Sequence, residues 1–283
     1  MFKTRLLSGI VLVAAALVTI ISGGPVLAGV LAVISMIAFF ELSKAVGLHT
    51  EGQKGNGMEI AGGCGILLYY GVLILVSFKP ELIVISNAGI CLTAIIFTLV
   101  LFMFVYVFSF PKFKASHVIH AFFSFVYAPV MLSFLYLTRM LESGNFIVWM
   151  ILISAWGCDT CAYCVGVLIG KHKLAPKLSP KKSIEGAVGG VIGAAALGAL
   201  YGFLVVERVI PDKRIAATFA VIGGTGAVIS QVGDLAASGI KRDHGIKDYG
   251  KLIPGHGGIM DRFDSVIFTA PVIYFLAQMM INL

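Results

Sequence analysis

The chain has 283 residues, of which 59% are hydrophobic and 12% charged, with a formal net charge of +7 and a mean hydropathy of +0.99. Soluble domains carry about 25% charged residues, so a soluble fold is excluded and a polytopic membrane protein is implied. The apolar runs do not alternate with polar residues, which argues against a β-barrel. No recognition helix, zinc finger or aromatic-basic module points to nucleic acid.

Runs of about 20 apolar residues predict spanning helices, because unpaired backbone groups are not tolerated in hydrocarbon. Nine are expected in chain order: 6–22, 26–46, 61–78, 82–108, 119–138, 146–169, 186–206, 216–238 and 263–282. The first is read as a span rather than a signal peptide, because an equally apolar segment follows at once. The fourth is long enough to be tilted or broken. With the N-terminus inside, 16 of the 21 Lys and Arg residues fall on cytoplasmic segments and 5 outside. That asymmetry predicts a cytoplasmic N-terminus. The fold class expected is all-α, with about nine transmembrane helices and a cytoplasm-facing polar cavity. Residues 1–145 are read as N-terminal membrane helices and 146–283 as catalytic ones, within one membrane domain.

The longest polar connections are 47–60, 170–185 and 239–262. The first reads as a plain loop. Glycines at four-residue spacing, Gly186/Gly190, Gly189/Gly193 and Gly198/Gly202, permit close helix packing, within the chain or at a dimer seam. Cys158, Cys161 and Cys164 drift around one helix. They read as small packing residues rather than ligands of one ion, and no disulfide is expected.

Ionisable residues inside spans are costly and are candidates for function. Asp159 stands in span six and Asp234 near the cytoplasmic end of span eight, while Asp261 and Asp264 begin span nine. Asp234, Ser238 and Lys241 are spaced to share one helical face, as do Asp261 and Asp264. The segment "IPGHGG" between them is a Pro/Gly turn that returns one helix beside the other. Carboxylates from both can therefore converge. Hard oxygen ligands without clustered Cys or His suit Mg²⁺ completed by substrate phosphates. Lys241, Arg242, Lys247, Lys251, His256 and Arg262 ring that point. Carboxylates for a metal beside cations for phosphates are the needs of phosphoryl chemistry. Gly257 and Gly258 would offer backbone N–H groups to an anion. In the 170–185 loop, Lys181 and Lys182 precede Ser183, a predicted N-cap, at a helix start suited to a polyphosphate.

These residues carry a resemblance. Ser238, Lys241, Arg242, Lys247, Asp248, Pro254, His256, Gly257, Gly258, Asp261, Arg262 and Asp264 match, at every fixed position, the signature of the phosphatidate cytidylyltransferases (CDP-diacylglycerol synthases). Gly233-Asp234 upstream fits as well, as do Asp159, Ala162 and Tyr163 and the segment Leu178 to Gly186. The resemblance covers roughly 150–270. It implies transfer of the cytidylyl group of CTP to phosphatidate, giving CDP-diacylglycerol and pyrophosphate. It also implies a homodimeric inner-membrane enzyme using Mg²⁺, with a monovalent cation such as K⁺ nearby. Asp234 and Asp261 would hold the metal, supported by Asp264. Lys241, His256 and Arg262 would join them in catalysis. Asp159, Tyr163, Lys181, Lys182, Ser183, Ser238, Arg242, Lys247, Asp248, Gly257 and Gly258 would bind substrate. Two other readings stay open: a CTP-dependent enzyme acting on another lipid, and a polytopic anion transporter.

Overall fold

The structure is a computed structural model and describes residues 2–48, 56–78, 87–253 and 257–281. Its helices are α1 (Phe2–Ser22), α2 (Gly24–Ala45), α3 (Gly57–Phe78), α4 (Asn87–Phe108), α5 (Ala115–Phe125), α6 (Met131–Arg139), α7 (Gly144–Leu152), α8 (Cys158–Ile169), α9 (Ile184–Tyr201), α10 (Ile215–Asp243) and α11 (Met260–Ile281). Single π turns at Val126–Val130 and Ile153–Gly157 join α5 to α6 and α7 to α8, and a third at Gly202–Val206 extends α9. Among the described residues eight helical segments are long and apolar enough to cross a membrane, and α1 adds a shorter apolar stretch, Gly9–Ser22. The protein is an all-α integral membrane protein.

Two of the differences from the expected organisation have a local cause. Span three begins at Gly57 rather than 61 because Asn56 and Glu59 cap it reciprocally. The Asn56 N–H donates to Glu59 Oε2 (3.0 Å) and the Glu59 N–H to Asn56 Oδ1 (2.9 Å), which satisfies donors that a helix start otherwise leaves orphaned. The 170–185 connection is not a bare loop. It holds an antiparallel pair, β1 (Lys173–Ala175) and β2 (Ser179–Ser183), in the register Lys173 to Ser183 and Ala175 to Ser179. For span four, residues 79–86 lie outside the described residues.

The chain divides into two compact units, Met1–Tyr136 with Ile246–Asp261, and Leu137–Gly245 with Arg262–Leu283. In the first, buried hydroxyls tie α2, α3 and the α5–α6 span together. The Tyr70 hydroxyl contacts Ser35 Oγ (2.8 Å) and donates to the Pro129 carbonyl (3.2 Å), while Tyr69 pairs with Ser133 (3.0 Å). Pro129 lies in the π turn, where proline has no N–H to give and loosens the local ladder. Tyr70 uses a carbonyl there. In hydrocarbon such hydroxyls need protein partners.

In the second unit α9 lies against both α8 and α10. A Cβ on Gly190 would stand 2.9 Å from both Ala162 Cβ and Cys158 Sγ, and one on Gly186 would stand 2.7 Å from the Ala162 carbonyl. The glycine spacing of α9 therefore serves packing within the chain. Cys158 is buried among Ala194 and Ala227, and all five cysteines are free. The Gln231 amide crosses from α10, donating to Cys158 Sγ (3.4 Å) and to the Ala187 carbonyl (2.9 Å).

Candidate active site

The second unit gathers most of the charged candidates. Helix α10 has 29 residues, about 44 Å at 1.5 Å per residue, so it outruns a hydrocarbon core of about 30 Å. Asp234 stands two turns before Lys241 on this helix, and Ser238 between them is buried. Gly233 lets α11 come close: a Cβ there would stand 2.8 Å from Phe268 Cβ and 3.0 Å from the Asp264 carbonyl. Asp264 is only 7% exposed and accepts the Ser265 N–H at 2.8 Å.

The hairpin supplies the cation opposite Asp234. Ser183 caps α9, accepting the Gly186 N–H at 3.1 Å. Glu185 accepts the Lys171 N–H (3.1 Å) and the His172 N–H (3.2 Å), and contacts His172 Nδ1 (2.6 Å). These contacts staple the start of β1 to the first turn of α9. Successive strand residues face opposite ways. Lys182 ion-pairs with Asp234, whereas Lys181 is exposed. The two lysines expected to act together on one polyphosphate are therefore separated.

Asp159 of α8 lies in the field of Lys182, Asp234 and Arg262, and Asp264 in that of Asp234, Lys241 and Asp159. Three carboxylates and three cations thus form one electrostatic cluster within this unit. Arg262 Nε is buried with no hydrogen-bond partner among the described residues. A buried unpaired donor is costly and calls for an acceptor. Tyr163 and Arg242 are exposed, Tyr163 at 72%.

The remaining candidates belong to the first unit. Asp261 is 7% exposed, and its Oδ2 accepts the N–H groups of Tyr249 (2.8 Å) and Gly258 (3.0 Å). The Gly258 amide, expected to meet an anion, is engaged internally. The Ile253 N–H donates to the Gly257 carbonyl at 2.9 Å. Gly257 has φ +88°, a region only glycine enters freely. Lys247 and Asp248 are exposed. His256 lies outside the described residues.

One functional candidate escaped sequence reasoning. Glu41, inside span two, accepts the Ile259 N–H at Oε1 (3.1 Å) and the Met260 N–H at Oε2 (2.8 Å). A carboxylate inside an apolar span was the available signal.

A model of the cytidylyltransferase family matches residues 3–280. The chain belongs to the cytidylyltransferase family. It is similar to the phosphatidate cytidylyltransferase of Rickettsia bellii, at 30% identity over 164 residues, 57% of this chain and 70% of the relative. It is 36% identical over 157 residues to that of Staphylococcus saprophyticus, covering 54% of this chain and 56% of the relative. With that of Bacillus subtilis it shares 36% over 124 residues, 44% of each chain. The matched region is thus about half the length of the latter two relatives.

Proposed function

We propose that the protein transfers the cytidylyl group of CTP to phosphatidate, releasing CDP-diacylglycerol and pyrophosphate, at the cytoplasmic face of the inner membrane. The observation that carries this reading is the cluster of Asp159, Asp234 and Asp264 with Lys182, Lys241 and Arg262, in a chain of the cytidylyltransferase family.

A phosphate monoester is already an anionic nucleophile. An oxygen of the phosphatidate phosphate attacks the α-phosphorus of CTP. The bond from that phosphorus to the oxygen bridging the α- and β-phosphates breaks, and its electron pair leaves with pyrophosphate. No covalent enzyme intermediate and no general base are required. Arg262, with its unpartnered buried Nε, and Lys241 hold the phosphates. Lys182, paired with Asp234, exchanges onto the departing pyrophosphate. Preorganised cations of this kind lower the barrier because they need no reorganisation as charge shifts.

A divalent cation is implied by the family. Among the described residues no group of three His, Cys, Asp or Glu side chains is gathered tightly enough to form a closed metal site. Mg²⁺ does not need one, since it takes one or two carboxylates and completes its shell with water and substrate phosphates. Asp234 and Asp264 fit that demand, whereas Asp261 Oδ2 is committed to backbone amides. Bound there, Mg²⁺ would neutralise phosphate charge and polarise the α-phosphorus.

The test is incorporation of labelled CTP into lipid by the purified protein with phosphatidate, with and without Mg²⁺. An α-phosphorothioate CTP of known chirality should give inversion. Retention would overturn direct transfer.

A further inference from the structure

We infer that Glu41 is a positioning residue for the reaction, by which the N-terminal membrane helices fix the start of α11. This rests on the reading under Proposed function. The start of a helix leaves its first N–H groups without partners. Over the two residues ahead of α11 and its first residue, three successive amides are filled by two carboxylates from different parts of the chain. The Gly258 N–H goes to Asp261 of α11 itself, and the Ile259 and Met260 N–H groups go to the two oxygens of Glu41 on α2, 218 and 219 residues away.

Geometry tightens the argument. Gly250 and Gly258 both lie directly on the Glu41 carboxylate, where a Cβ at either position would collide with it. The backbone is thus closed around this side chain. A negative group at a helix N-terminus is also favoured by the helix dipole. The amides that Glu41 holds immediately precede Asp261, whose Oδ2 gathers Tyr249 and Gly258. The carboxylate of α2 therefore sets where the helix begins, and with it where Asp261 stands.

Glutamine has the same shape but replaces one of the two acceptor oxygens with an NH₂ donor, so one of the two amides faces a donor in the present geometry. Displacing reactive groups by an ångström costs on the order of a hundredfold in rate. In the purified full-length protein, Glu41→Gln should lower kcat by about 10- to 100-fold, with KM for CTP and phosphatidate little changed. Amide hydrogen exchange at Ile259 and Met260 should accelerate. The comparison variant is Tyr70→Phe, which loses its contacts to Ser35 and Pro129 in the same unit. It should lower Tm at least as much as Glu41→Gln while keeping kcat.

Wild-type kcat in Glu41→Gln would overturn the inference. So would a kcat loss in Tyr70→Phe as large as that in Glu41→Gln at equal loss of Tm. If the wild-type protein itself makes no CDP-diacylglycerol, the proposed function falls. The exchange measurement then decides alone: faster exchange at the two amides in Glu41→Gln upholds the contact, and unchanged exchange refutes it.

Discussion

The two compact units use carboxylates in opposite ways. In the unit formed by Leu137–Gly245 and Arg262–Leu283, Asp234 faces an ammonium group, and Asp159 and Asp264 lie in a field of mixed charge. In the unit formed by Met1–Tyr136 and Ile246–Asp261, Asp261 and Glu41 are bound to backbone N–H groups. A side-chain ammonium can leave for a phosphate when substrate arrives. A backbone amide cannot leave without unmaking the loop. The first arrangement is suited to chemistry and the second to holding shape, although both are written with Asp, Glu and glycine.

The sharpest way to break this contrast is to remove one carboxylate of each kind. Asp234→Asn should reduce lipid labelling from CTP by about 10²- to 10³-fold, the scale for losing a preorganised charge contact. It should leave Tm almost unchanged, since a part-exposed ion pair contributes little to stability. Asp261→Ala should do both kinds of damage. It strips the acceptor from two buried amides, at about 1–3 kcal/mol each, so thermal unfolding in detergent should occur well below the wild-type midpoint. If Asp234→Asn unfolds as readily as Asp261→Ala, the distinction fails.

Two further variants sharpen the picture. Gly233→Ala pushes a methyl group into Phe268 and the Asp264 carbonyl. Overpacking of this kind costs about 1–3 kcal/mol, visible as a lower Tm with reduced activity. The lysine pair gives the smallest effects. Lys182→Ala should lower kcat/KM for CTP on the order of tenfold, the loss of one charge-assisted contact. Lys181→Ala, on the exposed face of β2, should change it by no more than a surface substitution does, about 0.5 kcal/mol.

Much of the architecture is legible in the sequence, because apolar runs announce spanning helices without help from tertiary context. The spacing that sets Asp234 and Lys241 on one face of α10 is legible too. The hairpin is not. Its strands are three and five residues long and rich in lysine, with no alternating apolar face to reveal them. The Asn56–Glu59 cap has a readable spacing, but it was masked by the glycine-rich run before it. Glu41 was hidden for another reason. Its partners are backbone amides more than two hundred residues away, and an amide leaves no mark in the sequence.

The π turn at Ile153–Gly157 has a consequence for tolerance of length. Such a turn absorbs one residue more than an α-helix needs. Deleting a single residue inside it would convert it to a regular turn and leave Asp159, two positions on, facing its present neighbours. Helix α10 holds no such slack over its 29 residues. A deletion ahead of Asp234 would swing that carboxylate by about 100° around the axis. One wall of the cluster can therefore drift in length over generations while the other must keep count.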